Sequence, residues 1–159
     1  MINKFKKLVI KIGSNSIVDP KTKKIKSKWL DKLCKDIAKI HKTTKIVIVC
    51  SGAIALGSKS ISKSALRKLE DKQAAASIGQ IELAYQWRTK LKKFKIKVSQ
   101  ILLTLEDSET RRRFLNARNT IFSLQNKNII PIINENDTVA TEEIKYGDND
   151  KLAARVAQM

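Results

Sequence analysis

The sequence predicts an α/β fold, a mostly parallel sheet covered by helices. Three observations carry that prediction. Short apolar runs recur along the chain, each closed by glycine or polar residues, as buried strands are. Segments with apolar residues at helical spacing separate them. Strands that alternate with helices build parallel sheets, because each helix carries the chain back to start the next strand in the same direction.

The elements follow in order. Lys7–Ile12 reads as a strand ending at Gly13, and Asp19-Pro20 with Lys21–Lys24 as a polar loop. Ser27 stands where it would cap a helix whose apolar positions are Trp29, Leu30, Leu33, Ile37 and Ile40. Ile46–Cys50 is the second strand, and Ala53–Leu56 the first turn of a short helix. Ser64 to Phe94 reads mostly as helix, with small residues at Ala74–Ala76 and Gly79 that would admit a close neighbour. Val98–Leu103 is the third strand. Arg111–Asn126 is a helix that should bury Phe114, Leu115, Ile121, Phe122 and Leu124. Ile129–Ile133, with Pro131 near its start, is the fourth strand. Asn134–Gly147 is a polar segment with a small hairpin around Glu143–Tyr146, and a last helix runs from near Asp148 through Met159. With no glycine or other stop signal at Met159, the chain reads as cut rather than finished.

Length and composition narrow the class. The 159 residues suit one domain, and 42% hydrophobic with 30% charged residues fits a globular chain. No apolar run approaches the roughly 20 residues that span a bilayer, and the run Leu8–Ile10 is broken by Lys11, so neither a membrane span nor a signal peptide is read. Cys34 and Cys50 lie far apart without metal spacing, which fits a reducing, cytoplasmic setting. The net charge of +18 raises a second reading, a basic domain that binds nucleic acid. Against it, the lysines are spread along the whole chain together with many Ile and Asn residues, as AT-rich codon usage produces. There is no RNA-binding aromatic signature and no zinc-finger spacing. The lysines are read as a solvated surface that helps attract anionic substrates, and no nucleic acid is expected as partner.

In an open parallel sheet, ligands bind beyond the carboxyl ends of the strands. Three such ends carry chemistry here. In the first, Lys11 would neutralise a phosphate while the Gly13 amide approaches it, with Ser14 in the same turn; taken alone, a lysine snorkelling beside a turn glycine is the simpler account. In the second, Ser51-Gly52-Ala53 joins a strand end to a helix start, which suits an anion, or Ser51 is only a cap. It is not a Walker A loop. The third, Asn134-Glu135-Asn136-Asp137 followed by Gly147-Asp148-Asn149-Asp150, packs amides and carboxylates at a density that suits an amino acid, with turn and cap chemistry as the competing account. His41 reads as a surface residue, Cys34 as core, Cys50 as a non-nucleophile without a partner base, and Arg111–Arg113 as a solvated basic run.

Taken together, KIGSNS, CSGAIALG, DKQAAASIGQ, ILLTLEDSETRRRFLNARNT, IIPIINENDTVATEEI and GDNDKLAARVA resemble, in that order, the motifs of the glutamate 5-kinases of the amino-acid kinase family. The resemblance runs from about Leu8 to Ala157. It implies a three-layer sandwich in which residues 1–159 are the N-terminal, glutamate-binding part, with the ATP-binding part beyond them. It implies ATP and Mg²⁺ as cofactors, L-glutamate as substrate, proline as a feedback inhibitor and a homo-oligomer at full length. Carried over by motif, Lys11 would contact the transferred phosphoryl group, Gly13 would offer it an amide, and Ser14 lies in the same turn. Ser51, Asp137 and Asn149 would bind glutamate, beside Gly52 and Asp148, and Asp150 would hold Lys11 in place. Asn15 and Cys50 depart from the small residues that the motifs favour. Relatives that phosphorylate aspartate, N-acetylglutamate, carbamate or a nucleoside monophosphate are the alternatives within the family.

Overall fold

The computed structural model describes residues 5–62, 64–140 and 148–159, the last stretch without the Asp148 side chain. Four strands, β1 (Lys7–Ile12), β2 (Lys45–Cys50), β3 (Lys97–Leu103) and β4 (Ile129–Glu135), form one sheet. All neighbours pair in parallel, in the order β1-β2-β4-β3. The chain therefore skips a place after β2, and β4 returns to fill it. Every strand ends on the same rim. Pro131 sits inside β4, where its missing N–H is a defect in a central strand. The pairing of β4 with β2 accordingly covers only Ile132 and Ile133, whereas on the β3 side it runs from Ile129 to Glu135.

Seven helices are described: α1 (Ser14–Ile17), α2 (Ser27–Ile40), α3 (Ala53–Gly57), α4 (Leu69–Lys92), α5 (Leu105–Glu109), α6 (Arg111–Asn126) and α7 (Asp148–Ala157). The period of two along each strand sends alternate side chains to opposite faces. Ile46, Ile48 and Cys50 of β2, with Ile130 and Ile132 of β4, join Leu30, Cys34 and Ile37 of α2 and Leu83, Trp87 and Leu91 of α4 in one core. Val47, Val49 and Ile133 join Ala117 and Ile121 of α6 and Leu152 and Val156 of α7 in the other. The result is three layers, as expected. Each fully buried Ile, Leu or Val contributes about 1.5–3 kcal/mol, so these two clusters dominate the stability.

Several expectations are corrected. The long helix begins at Leu69 rather than Ser64, because Lys68 is extended (φ −87°, ψ 149°) and Ala65–Arg67 forms a separate 3-10 turn. Glu70 and Asp71 then occupy the first turn of α4, where the helix dipole favours them. Ser27 does not cap α2; it is the first helical residue, and its hydroxyl receives the Lys90 ammonium. Trp29 of α2 is exposed rather than packed; on α6 Leu115 is exposed and Phe114, Phe122 and Leu124 are half-buried, while Ala117 and Gln125 are buried with Ile121. The last helix ends at Ala157, before Met159, with turn bonds from Gln158 and Met159 to the carbonyls of Arg155 and Val156. Strand β4 continues two residues past Ile133, because Asn134 and Glu135 pair with Leu102 and Leu103. Helices α1 and α5 were not anticipated. A reciprocal capping box between Thr104 and Asp107 starts α5. The hairpin expected around Glu143–Tyr146 lies outside the described residues.

Candidate active site

The site is built from three strand tips and one helix start. Ile10 and Ile12 face the α2–α4 core, so Lys11 between them faces α7. Its Nζ lies 2.6 Å from Oδ1 of Asp150 in the first turn of α7. The two side chains are 30% and 58% exposed, and an ion pair so open to water is worth about 0–1 kcal/mol. Its consequence is positional: it gives the ammonium a defined place at the end of β1. Gly13 follows with φ −74°, a conformation open to any residue. A Cβ there would point at the Lys11 ammonium, 3.8 Å away. The glycine thus leaves space beside the charge rather than relieving the backbone.

Gly52, at the tip of β2, does need to be glycine. Its φ is +119°, and a Cβ would meet Val18 Cγ2 at 3.1 Å and Ile17 Cγ2 at 3.3 Å. Its third neighbour is the Cα of Ser14, 3.9 Å away, and the Ser51 N–H donates to the Ile12 carbonyl at 3.0 Å. The Ser51–Gly52 tip is thereby locked against the Gly13–Ser14 turn. Ser51 makes no cap bond to α3; Gly52 occupies the cap position. Cys50 beside it is fully buried, and burial pushes its thiol up to about 12, which leaves it neutral and a poor nucleophile.

The third tip continues β4. Asn134 Oδ1 accepts from the Glu135 N–H at 2.9 Å, and the Asn136 N–H donates to the Leu103 carbonyl at 3.0 Å. Asp137 then opens a 3-10 turn, buried, over a hollow of about 190 Å³ whose lining includes Ala76, Ser77, Gln80 and Thr138. Asn149, next to Asp150, has a buried Oδ1 without a hydrogen-bond partner among the described residues. A buried acceptor left unpaired costs about 1–3 kcal/mol. Leu152 and Val156 anchor α7 in the core and so fix where Asn149 and Asp150 stand.

Helix α4 supports two of the three tips. A Cβ on Gly79 would lie 1.8 Å from the Ala53 carbonyl oxygen, and one on Gly57 1.8 Å from that of Ala75. The backbones of α3 and α4 therefore touch, just behind Ser51–Gly52. One residue on, the Gln80 amide donates to the Glu135 carbonyl at 3.4 Å. Among the described residues no group of three or more His, Cys, Asp and Glu side chains could hold a metal ion.

The model of the amino acid kinase family matches residues 6–159. The chain belongs to the amino acid kinase family. Among curated relatives it is 51% identical over 155 residues to the glutamate 5-kinase of Paramagnetospirillum magneticum and 56% identical over 155 residues to that of Pelagibacter ubique. These matches cover 97% and 96% of the chain but 42% of each relative, so it spans less than half of their length. Among solved structures it resembles UMP kinase from Bacillus anthracis (TM-score 0.60, 13% identity, 96% of this chain and 62% of that one). It also resembles UMP kinase from Ureaplasma parvum (TM-score 0.58, 15% identity, 81% and 55%). At such identities the likeness shows the fold alone.

Within this amino acid kinase chain, the structure joins Lys11 to Asp150 and sets Gly13 and Ser14 against Gly52. Asp137 sits above α4, and Asn149 beside Asp150. Asp148 opens α7; its side chain lies outside the described residues. His41 is half-buried rather than a fully exposed surface residue, and burial holds its pKa below the ordinary value. Of the basic run, Arg113 pairs with Glu106 and Asp107 of α5, and Arg111 and Arg112 are exposed. Sequence reading missed Gln73 and Gln80. Seven residues apart, they share one helical face, but the spacing alone does not tell that they bond to a distant main chain.

Proposed function

We propose that this chain is the acceptor-binding part of an enzyme that phosphorylates the γ-carboxylate of L-glutamate, giving glutamyl 5-phosphate for proline synthesis. The observation that carries the reading is the Lys11 ammonium 2.6 Å from Asp150, whose sequence neighbour Asn149 has a buried Oδ1 without a hydrogen-bond partner among the described residues. An amino acid brings an ammonium to donate to the amide oxygen and a carboxylate that the lysine attracts alongside Asp150. High identity to two glutamate 5-kinases supports glutamate over the other acceptors.

Glutamate's carboxylate is already ionised at neutral pH, its ordinary pKa being about 4.3, so no general base is required. The chain's work is alignment and charge neutralisation. Ser51, Gly52, Asp137, Asp148 and Asn149 grip the amino acid. Asp150 holds Lys11, whose ammonium neutralises the migrating phosphoryl group, with the Gly13 amide and the Ser14 turn beside it. Bound MgATP supplies that group. Lys11 and the Gly13 amide would hold the transferred phosphate of MgATP, a Cβ at Gly13 having 3.8 Å of clearance from the ammonium. The rest of the nucleotide would be held by a part outside residues 1–159. Proline, carrying the same α-carboxylate and a ring ammonium, would compete at the amino-acid grip as a feedback inhibitor. No described helix is long and apolar enough to cross a membrane, which is compatible with a cytoplasmic enzyme. A homo-oligomer formed through α4 completes the reading.

Kinetics of the full natural protein test it. Asn149→Ala and Asp137→Ala should each raise the glutamate KM about ten- to hundredfold, the worth of a hydrogen bond to a charged group. Lys11→Ala should lower kcat about a hundredfold with little change in KM. Unchanged kinetics in all three variants would refute the site. Preference for aspartate, N-acetylglutamate, carbamate or a nucleoside monophosphate would refute the substrate.

A further inference from the structure

The Asp137 turn is held from below at both ends. The Gln73 amide donates to the Ala140 carbonyl at 3.1 Å, three residues after Asp137. The Gln80 amide donates to the Glu135 carbonyl at 3.4 Å, two residues before it. Seven residues apart, the two glutamines stand two turns apart on one face of α4, spaced to reach both ends of the same turn. Gln80 is buried, and its own Oε1 accepts from Gln100 at 3.2 Å, so its NH₂ end is turned to Glu135. Between the clasped ends the segment's own described backbone bonds are Asn136 N–H to the Leu103 carbonyl and Val139 N–H to the Asn136 carbonyl. Glu135 is the last residue of β4, but beyond it residues 136–140 belong to no strand or α-helix and form only a short 3-10 turn, so the shape there depends on side chains. The helix that supplies them is itself fixed by Trp87, Leu83 and Leu91 in the core and by backbone contact with α3.

Resting on the reading of Asp137 as a glutamate ligand, we propose that Gln73 and Gln80 are positioning residues for acceptor binding. They set the turn so that Asp137 is presented at the height of the Ser51–Gly52 tip, which the same helix supports through Gly79 and Ala53. Neither glutamine need touch substrate. Their removal leaves the lysine and the nucleotide side intact and displaces one wall of the amino-acid grip.

The test uses Gln73→Met, Gln80→Met and the double variant in the full natural protein, since methionine keeps the length and loses the donor. Gln80→Glu keeps the shape and also loses the donor. Three readouts are taken: steady-state kinetics, thermal midpoint, and hydrogen exchange of the amides of Asn136 and Val139. Each single variant should speed that exchange and raise the glutamate KM about tenfold, leaving kcat and the ATP KM within about twofold; the double variant should do more. Half-buried Gln73 keeps the experiment decisive if the Gln80 variants fold poorly. A lower midpoint with unchanged glutamate KM would overturn the proposal and leave the glutamines as packing alone. Unchanged exchange would overturn it as well. Wild-type protein that ignores glutamate, with exchange still faster in the variants, would instead refute the reading of the substrate and leave the clasp standing.

Discussion

Single residues take their meaning from the face on which the strand period places them. Cys50 and Ser51 are neighbours in sequence, yet Cys50 is buried in the α2–α4 core while Ser51 lies at the rim, half-buried. Burial pushes the thiols of Cys50 and Cys34 up to about 12 from an ordinary value of 9.0. The folded protein thus keeps both neutral over a range where the unfolded chain ionises them. Their contribution to stability is present below about pH 9 and is lost as pH rises from there toward 12. At pH 8 the native protein should resist iodoacetamide, and two thiols should react once it is unfolded in guanidinium, as counted by mass spectrometry. A native Cys50 that alkylates readily would mean that the β2 tip opens to solvent. Lys11 stood out in the sequence because a charged residue interrupts a buried apolar run, and the structure pairs it with Asp150. Gln73 and Gln80 did not stand out, because a polar residue on a helix is ordinarily solvated; their partners are main-chain carbonyls some sixty residues away, which no local pattern encodes.

Among the elements, the crossing of α3 and α4 does the most to relate one tip to another. Contact between the two backbones needs a residue without Cβ on each side, and Gly57 and Gly79 meet there. In Gly79→Ala the new Cβ would fall 1.8 Å from a carbonyl oxygen, so the helices must separate. Overpacking of this kind costs about 1–3 kcal/mol, more than the roughly 1 kcal/mol that alanine gains over glycine inside a helix. Gly79→Ala should therefore lower the thermal midpoint by several degrees and, by moving α3, weaken glutamate binding. Gly13→Ala is the control: its backbone is unstrained, its Cβ has 3.8 Å of clearance, and the fold should tolerate it. Equal midpoints for Gly79→Ala and wild type would show that the crossing is looser than described. The run of small residues foretold a close neighbour but not which one. The strands and long helices were legible because their apolar periods are long. The short α1 and α5 depend on one or two local hydrogen bonds, and the start of α4 on a single extended residue, so periodicity passed over all three.

At the scale of the whole molecule, α4 has an outward face that the core leaves uncovered. Ile78, Ile81 and Tyr85 recur there at helical spacing, all well exposed, and Leu102 of the edge strand β3 is exposed too. Acidic Glu70 and Asp71 precede this stripe, and basic Arg88 and Lys92 follow it, on the same side of a 24-residue helix about 36 Å long. Such a face is its own complement. Set antiparallel against a second copy about a two-fold axis near Ile81–Glu82, the stripe meets itself, and Asp71 of one protomer faces Lys92 of its partner; a parallel pairing would oppose like charges. The net charge of +18 works against association, but at about 0.15 M salt it is screened beyond roughly 8 Å, whereas contacts within the interface are not. We therefore expect a dimer by light scattering at that salt. Ile81→Asp should yield monomer, and Lys92→Glu should weaken the dimer. Adding Asp71→Lys to Lys92→Glu should restore it, because the swap exchanges the two charges and recreates the pair. Restoration cannot follow if the helices meet in parallel or through another face, so a double variant that stays monomeric, or a wild type that is monomeric at every concentration, removes α4 as the interface. Because the opposite face of α4 carries Gly79 and Gln80, a dimer assembled this way would stiffen the helix on which the Ser51–Gly52 and Asp137 tips both rest, and the monomeric Ile81→Asp variant should bind glutamate more weakly than its distance from the site alone would suggest.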